Sequence, residues 1–278
     1  MGRRAVNGVH LHVETWGSGP PLLLLHGFTG SAATWAPHLP CFAARARVVA
    51  LDLLGHGESD APRDADRYRM ARAAEDLAAV LDGLGIDAAA VLGYSMGGRL
   101  ALYLASAAPE RVRALIAVSA SPGVRDEEAR RARRINDAAL AAAIEREGVR
   151  AFVDRWEREP LFATQHGLPA AVRAAIRADR LRHSAVGLAN SLRGMGQGAQ
   201  PPLHDWLPGL RMPALIVAGA LDSRYCGVAR EMQASIPGSR LAIVPEAGHA
   251  PQWEQPVHFQ RMVLSFLDTI AAEPAAKR

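Results

Sequence analysis

Residues 88–102 read AAAVLGYSMGGRLAL. An apolar run ends at Gly93, Ser95 follows two residues later, and small residues continue beyond it. The match to G-x-S-x-G is weak by itself, because average residue usage produces it by chance in on the order of one chain in ten of this length. The flanks decide the reading: a buried strand enters the serine, a helix leaves it, and the serine occupies a sharp turn between them. Gly93 and Gly97 fit such a turn, since side chains there would collide where strand and helix nearly touch. A helix opening at Met96 would also aim backbone N–H groups at negative charge near the serine.

The same alternation extends outward. Near the start, RAVNGVHLHVETWG carries an Asn-Gly pair between two alternating stretches, the signature of a tight hairpin. LLLLHGF and RVVALDLLGHGES each read as a buried strand running into a glycine-rich loop. Met70, Leu77, Leu81 and Leu84 recur at roughly helical spacing and predict a helix packed on the sheet. RALIAVSAS, PALIVAGALD and RLAIVPEAGH add three more strands. Strands alternating with helices define an α/β fold with a mostly parallel central sheet flanked by helices. From about Pro122 to Pro202 the chain is rich in Arg, Ala and Glu and shows no buried strand. This segment reads as an inserted helical cap, giving a core in two parts, 1–121 and 203–278, interrupted by a cap over 122–202.

With 278 residues and 49% hydrophobic content, the chain can bury one large core. Leu22–Leu25 is too short to span a bilayer, and MGRR at the start leads into no signal-like apolar stretch, so the expectation is a cytoplasmic protein without membrane insertion. Cys41 and Cys226 match no metal spacing and make a disulfide framework unexpected. Neither a metal nor a cofactor is expected. The formal net charge of +4 rests almost wholly on arginine, for the only lysine is Lys277. Either an anionic ligand or genomic compositional bias accounts for that excess. RRARR at 130–134 sits in no nucleic-acid motif and reads as a solvated helix face, so no nucleic-acid partner is expected.

A serine hydroxyl becomes a nucleophile or base when a histidine accepts its proton and an acid holds that histidine. Asp222 follows PALIVAGAL and His249 lies just after RLAIVPE, so both stand at strand ends in the order Ser95, Asp222, His249. His26 and His56 compete for the role, each in a glycine loop after a strand. HGF fits an oxyanion hole better, with the Phe28 N–H joining that of Met96, and GHGES fits a structural turn. Arg99 lies four residues beyond Ser95, one helical turn or ~5.4 Å along the axis, and is expected to reach back toward it and bind a ligand carboxylate. Gly97 and Gly98 are expected to keep the surface between them low and open. The competing expectation makes Arg99 a structural ion pair.

HGF, DLLGHGES, GYSMGG, GALD and AGH together resemble the α/β-hydrolase superfamily along nearly the whole chain. Within it, GYSMGGRLAL and SLRGMGQGAQPPL look like the synthases of menaquinone biosynthesis that form 2-succinyl-6-hydroxy-2,4-cyclohexadiene-1-carboxylate (SHCHC). ARRIND, RWEREPLF and LRHS extend the likeness into the cap. The resemblance implies a lyase that eliminates pyruvate from a small-molecule polycarboxylate, with Tyr94, Arg99, Arg133, Trp156 and Arg182 binding substrate. From its sequence alone, Trp156 reads as core packing. The chain departs from the family pattern at His204 and Leu140, where aromatic residues are usual, and at Arg224, where lysine is usual. A carbon–carbon-bond hydrolase or carboxylesterase would use the same triad through water or an acyl-enzyme. A ligand-binding receptor would keep the triad but turn over slowly.

Overall fold

The computed structural model describes residues 2–272; Met1 and the last six residues of the 203–278 segment lie outside it. Eight strands form one sheet: β1 (Gly2–Val6), β2 (Val9–Trp16), β3 (Pro21–Leu25), β4 (Arg47–Leu51), β5 (Ala89–Tyr94), β6 (Val112–Val118), β7 (Ala214–Gly219) and β8 (Arg240–Val244). Their spatial order is β1-β2-β4-β3-β5-β6-β7-β8. The pairs β1/β2 and β2/β4 are antiparallel and the others parallel. Asn7 and Gly8 turn the first hairpin with φ of 45° and 82°, the positive values that a tight two-residue turn requires.

The leucine run of β3 shows why an unbroken apolar strand is needed here. Leu23 and Leu25 enter the core on one face of the sheet, while Leu22 and Leu24 pack with Trp35, Phe42 and Phe259 on the other. All four leucines are fully buried. Each contributes roughly 1.5–3 kcal/mol relative to exposure. Helices cover both faces: α1 (Leu39–Ala43), α2 (Met70–Gly83), α3 (Met96–Ala107), α4 (Glu127–Trp156), α5 (Ala170–Leu181), α6 (Ala185–Met195), α7 (Ser223–Ser235), α8 (Pro251–Glu254) and α9 (Pro256–Ala272). The predicted helix at Met70 is α2, with Met70, Leu77 and Leu81 buried. No helix of the described residues is long and apolar enough to cross a membrane.

Between β6 and β7 the described chain is helical, comprising α4, α5, α6 and two short 3-10 segments, Pro160–Gly167 and Leu207–Gly209. It has its own apolar cluster of Ala141, Ile144, Phe152, Val153, Leu188, Ala189 and Leu192. Phe28 of the sheet layer packs against both this cluster and the main core. The RRARR run lies on α4: Arg130 and Arg134 both pair with Glu127, and Arg133 pairs with Asp137.

Helix α4 is broken at Gly148, whose φ of 83° and ψ of 166° are closed to other residues. A Cβ there would meet nothing within 4 Å, so backbone conformation alone selects glycine. Gly148→Ala is expected to lower unfolding free energy by about 1–3 kcal/mol, read as an earlier urea midpoint. An unchanged midpoint would show that the kink is not a fixed feature of the fold.

Candidate active site

Strand β5 is buried at every position and delivers Ser95 at φ 50°, ψ −109°, ahead of the first residue of α3. Two backbone bonds hold this strained residue: Ser95 N–H donates to the Val118 carbonyl at 2.8 Å, and Arg99 N–H donates to the Ser95 carbonyl at 2.9 Å. The glycines act through backbone contact. A Cβ on Gly93 would strike the Gly97 carbonyl, and one on Gly97 would strike the carbonyls of Leu25 and His26. Gly98 is pressed against Ala120 and Gly93. The expectation that Gly97 and Gly98 leave room for a ligand is therefore corrected: their space is filled by neighbouring strands.

His249 and Asp222 meet Ser95 from the ends of two further strands. His249 Nε2 stands 3.1 Å from Ser95 Oγ, and His249 Nδ1 stands 2.8 Å from Asp222 Oδ2. His249 is almost fully buried and Asp222 nearly so. The second Asp222 oxygen accepts the Tyr225 N–H at 3.1 Å, so one carboxylate both caps α7 and orients the imidazole. Glu254 accepts the Gly248 and Ala250 N–H groups on either side of His249 and fixes its loop. Nothing in the isolated sequence marks Glu254 as that support.

His26 and His56 belong to the framework. His26 Nε2 accepts the Leu53 N–H at 2.9 Å while its Nδ1 faces the Gly27 carbonyl at 2.8 Å, and burial lowers its pKa. His56 Nδ1 faces the Leu54 carbonyl, and burial depresses its pKa strongly. Both are held as neutral rings. The Phe28 and Met96 N–H groups make no hydrogen bond among the described residues, Met96 being the first residue of its helix. Both residues line the cavity at Ser95.

That cavity, about 80 Å³, is also walled by Arg99, Arg133, Leu140, Trp156, Gln197 and Tyr225. Arg99 is 6% exposed and donates to the Met195 carbonyl at 2.8 Å and to Gln200 Oε1 at 3.0 Å. No carboxylate pairs with it among the described residues, which removes the ion-pair alternative. Burial lowers its pKa to about 10, leaving it charged at neutral pH. Gln200 is itself fully buried and passes its amide to the Ser121 carbonyl. Arg133 donates through Nε to Asp137 at 2.8 Å, and Asp137 also accepts the Gly198 N–H. Trp156 lines the cavity and packs edge-on against Phe28 with ring centroids 5.6 Å apart, so it combines the wall and core roles.

Two expected ligand residues do not reach this wall. Tyr94 packs against His249 and Trp253 at centroid distances of 5.6 and 6.1 Å and is absent from the cavity lining. Arg182 has a half-exposed side chain and pairs with Asp179 at 2.6 Å. The inward arginine of this segment is Arg180, which is 5% exposed, lies over Phe162 and bonds Gln165 and Glu157. Positions two apart on a helix differ by about 200° in direction, so choosing between Arg180 and Arg182 requires the helix phase. Of the three departures from the family pattern, Leu140 lines the cavity, while Arg224 is exposed and His204 half-buried outside it.

A profile of the alpha/beta hydrolase fold matches residues 20–256. The putative 2-succinyl-6-hydroxy-2,4-cyclohexadiene-1-carboxylate synthase of Bacillus subtilis is 43% identical over 249 residues, covering 90% of each chain. The chain belongs to the alpha/beta hydrolase fold family, in the branch of these synthases. The synthase of Salmonella paratyphi C is 32% identical over 88% of this chain and 92% of its own. The solved structure of MenH from S. aureus superposes with a TM-score of 0.90 at 32% identity, covering 94% of this chain and 99% of that one. In this alpha/beta hydrolase fold chain, the serine elbow, the histidine loop and the arginine wall thus meet at the carboxyl ends of the parallel strands.

Arg182→Ala is expected to change kcat/KM by less than about twofold and to leave Tm almost unaltered, because exposed ion pairs contribute little. Arg99→Ala is expected to lower kcat/KM by about ten- to a few hundred-fold, with lysine restoring only part. It should also lower Tm, because the Met195 carbonyl and Gln200 lose their donor. Kinetics and calorimetric melting of the purified variants check both. Wild-type kinetics for Arg99→Ala would remove Arg99 from the site.

Proposed function

We propose that this protein is a carbon–oxygen lyase that releases pyruvate from a succinyl-enolpyruvyl-hydroxycyclohexene carboxylate to form SHCHC in menaquinone biosynthesis. The observation that carries the reading is the pairing of a Ser95–His249–Asp222 hydrogen-bond chain with Arg99 and Arg133 in one cavity wall. The likeness to the Bacillus subtilis synthase supports the same reaction. Guanidinium groups bind carboxylates through paired donors and keep their charge at any working pH. A cavity of two cations beside a histidine-activated serine suits a polyanion better than a neutral ester.

In this reading His249 Nε2 takes the Ser95 proton as Oγ removes a proton from substrate carbon. The electron pair moves onto a carbonyl oxygen held by the Phe28 and Met96 N–H groups, then returns through the ring alkene and breaks the C–O bond. The enolpyruvate that leaves gains the proton held on His249 and becomes pyruvate. Asp222 holds the Nδ1–H of His249 and stabilises the imidazolium that forms. Arg99 and Arg133 hold substrate carboxylates, and Trp156 supplies a flat wall. The reaction needs no acyl-enzyme.

The helical segment over 122–202 serves as a lid. At about 80 Å³ the cavity is smaller than the ~300–1,000 Å³ typical of small-ligand sites, and an outward shift of the segment would enlarge it. Its α4 and α6 frame the site through Arg133, Leu140, Trp156 and Leu192.

Incubating the purified protein with the pyruvate-bearing precursor and following pyruvate by a coupled assay tests the proposal. Wild type is expected to release one pyruvate per precursor. Ser95→Ala should fold normally and lose at least about a thousandfold in kcat, as loss of a triad member does. Turnover of simple aryl esters without pyruvate release would assign the chain to the esterases instead.

A further inference from the structure

Tyr225 has a role in this site that its position behind the triad does not announce. It lies in the first turn of α7, three residues after Asp222, and its N–H donates to the Asp222 carboxylate that also holds His249. Its ring lies against the imidazole with centroids 4.6 Å apart at 59°. The residue is 5% exposed and forms part of the cavity wall with Ser95, Arg99 and Arg133. Its placement is thus fixed by the same carboxylate that sets the base, before any ligand arrives.

The hydrogen-bond inventory of the hydroxyl is incomplete. Gln197 Nε2 donates to Tyr225 Oη at 2.9 Å, so the oxygen is an acceptor in that contact. A phenol also carries one proton to donate. Among the described residues the hydroxyl donates no hydrogen bond. Gln197 also lines the cavity, which places the pair at the wall alongside Arg99. A buried donor with no protein acceptor, beside an arginine that has no carboxylate partner, calls for an oxygen supplied by the ligand.

We propose that Tyr225 is a specificity-determining residue whose hydroxyl donates to a carboxylate or carbonyl oxygen of the ligand bound over Ser95, with Gln197 holding the hydroxyl in the donating orientation. The inference deepens the lyase reading and rests on it for the identity of the substrate. Tyr225 then adds a neutral donor to the two cationic ones, so an oxygen-rich substrate is held at a third point. A ligand with a hydrocarbon group at that point would leave the phenol unpaired and bind less well.

The test compares wild type, Tyr225→Phe and Gln197→Met. Phenylalanine keeps the ring on His249 and removes only the hydroxyl; methionine leaves the hydroxyl but removes its support. With the precursor, Tyr225→Phe should raise KM about ten- to a hundredfold while kcat stays within threefold, the size expected of a bond to a charged acceptor. Gln197→Met should raise KM by a smaller factor, and both should melt within a few degrees of wild type. In parallel, calorimetric titration with propane-1,2,3-tricarboxylate reads binding without chemistry, and wild type should bind at least tenfold more tightly than Tyr225→Phe. If wild type turns the precursor over and Tyr225→Phe matches it in KM, the Tyr225 assignment fails and the lyase reading stands. If wild type releases no pyruvate, the lyase reading fails, and the tricarboxylate titration still decides: a tenfold loss in Tyr225→Phe upholds the donor role. Equal affinities, or no binding by wild type, overturn it.

Discussion

Everything at the site depends on the close passage of β5 into α3. Ser95 sits at φ 50°, a conformation that costs on the order of 1–3 kcal/mol, and the surrounding backbone holds it there. The passage is possible because Gly93, Gly97 and Gly98 let β5, β3 and the loop after β6 touch backbone to backbone. One consequence is that the serine hydroxyl projects from the sheet edge. Another is that the first N–H of α3 has no helical acceptor and faces the same space. Because the neighbouring parallel strands are in register with β5, the chain ends of β7 and β8 deliver Asp222 and His249 to the same edge.

The electrostatics follow from what surrounds that edge. Arg99 is buried without a carboxylate, held by a carbonyl and by Gln200, while Asp137 ties Arg133 to the turn that carries Gly198. Burial disfavours the charged form, as the lowered pKa of Arg99 records, yet a value of about 10 leaves the cation intact. A positive charge kept in place without an internal anion stores an unmet demand for one, which under the proposed function a substrate carboxylate would meet. The residues that support Arg99 are an amide and a carbonyl, which orient its guanidinium without neutralising it, whereas Arg133 is paired with Asp137.

The sheet, the serine elbow and the order of the acid and histidine were legible because each leaves a local trace. Apolar runs bounded by glycines mark parallel strands, and Asn7-Gly8 marks the hairpin. Side-chain direction in the helical segment was not legible in the same way. Arg180 and Arg182 are two residues apart, and Arg180 continues the i, i+4 face of Val172 and Ile176 that α5 turns inward, a phase that likeness to a family motif at LRHS does not convey. Tyr94 falls outside the cavity lining for a different reason: strand alternation at the end of β5 turns it toward Trp253 and His249. Asp137, Gln197, Gln200 and Glu254 escaped because their partners lie far along the chain or in turns whose geometry no spacing rule encodes. Gly97 and Gly98 are plain in the sequence but their purpose is not, since contact with distant carbonyls cannot be read from neighbours in sequence.

The central claim is that Ser95, activated by His249, acts as a base toward carbon. A single-turnover measurement, with enzyme in excess and precursor deuterated at the carbon that loses its proton, addresses that step directly. The account predicts slower pyruvate release from the deuterated precursor than from the protiated one, and no mass adduct on Ser95 at any time. Equal rates accompanied by a transient adduct on Ser95 would contradict it.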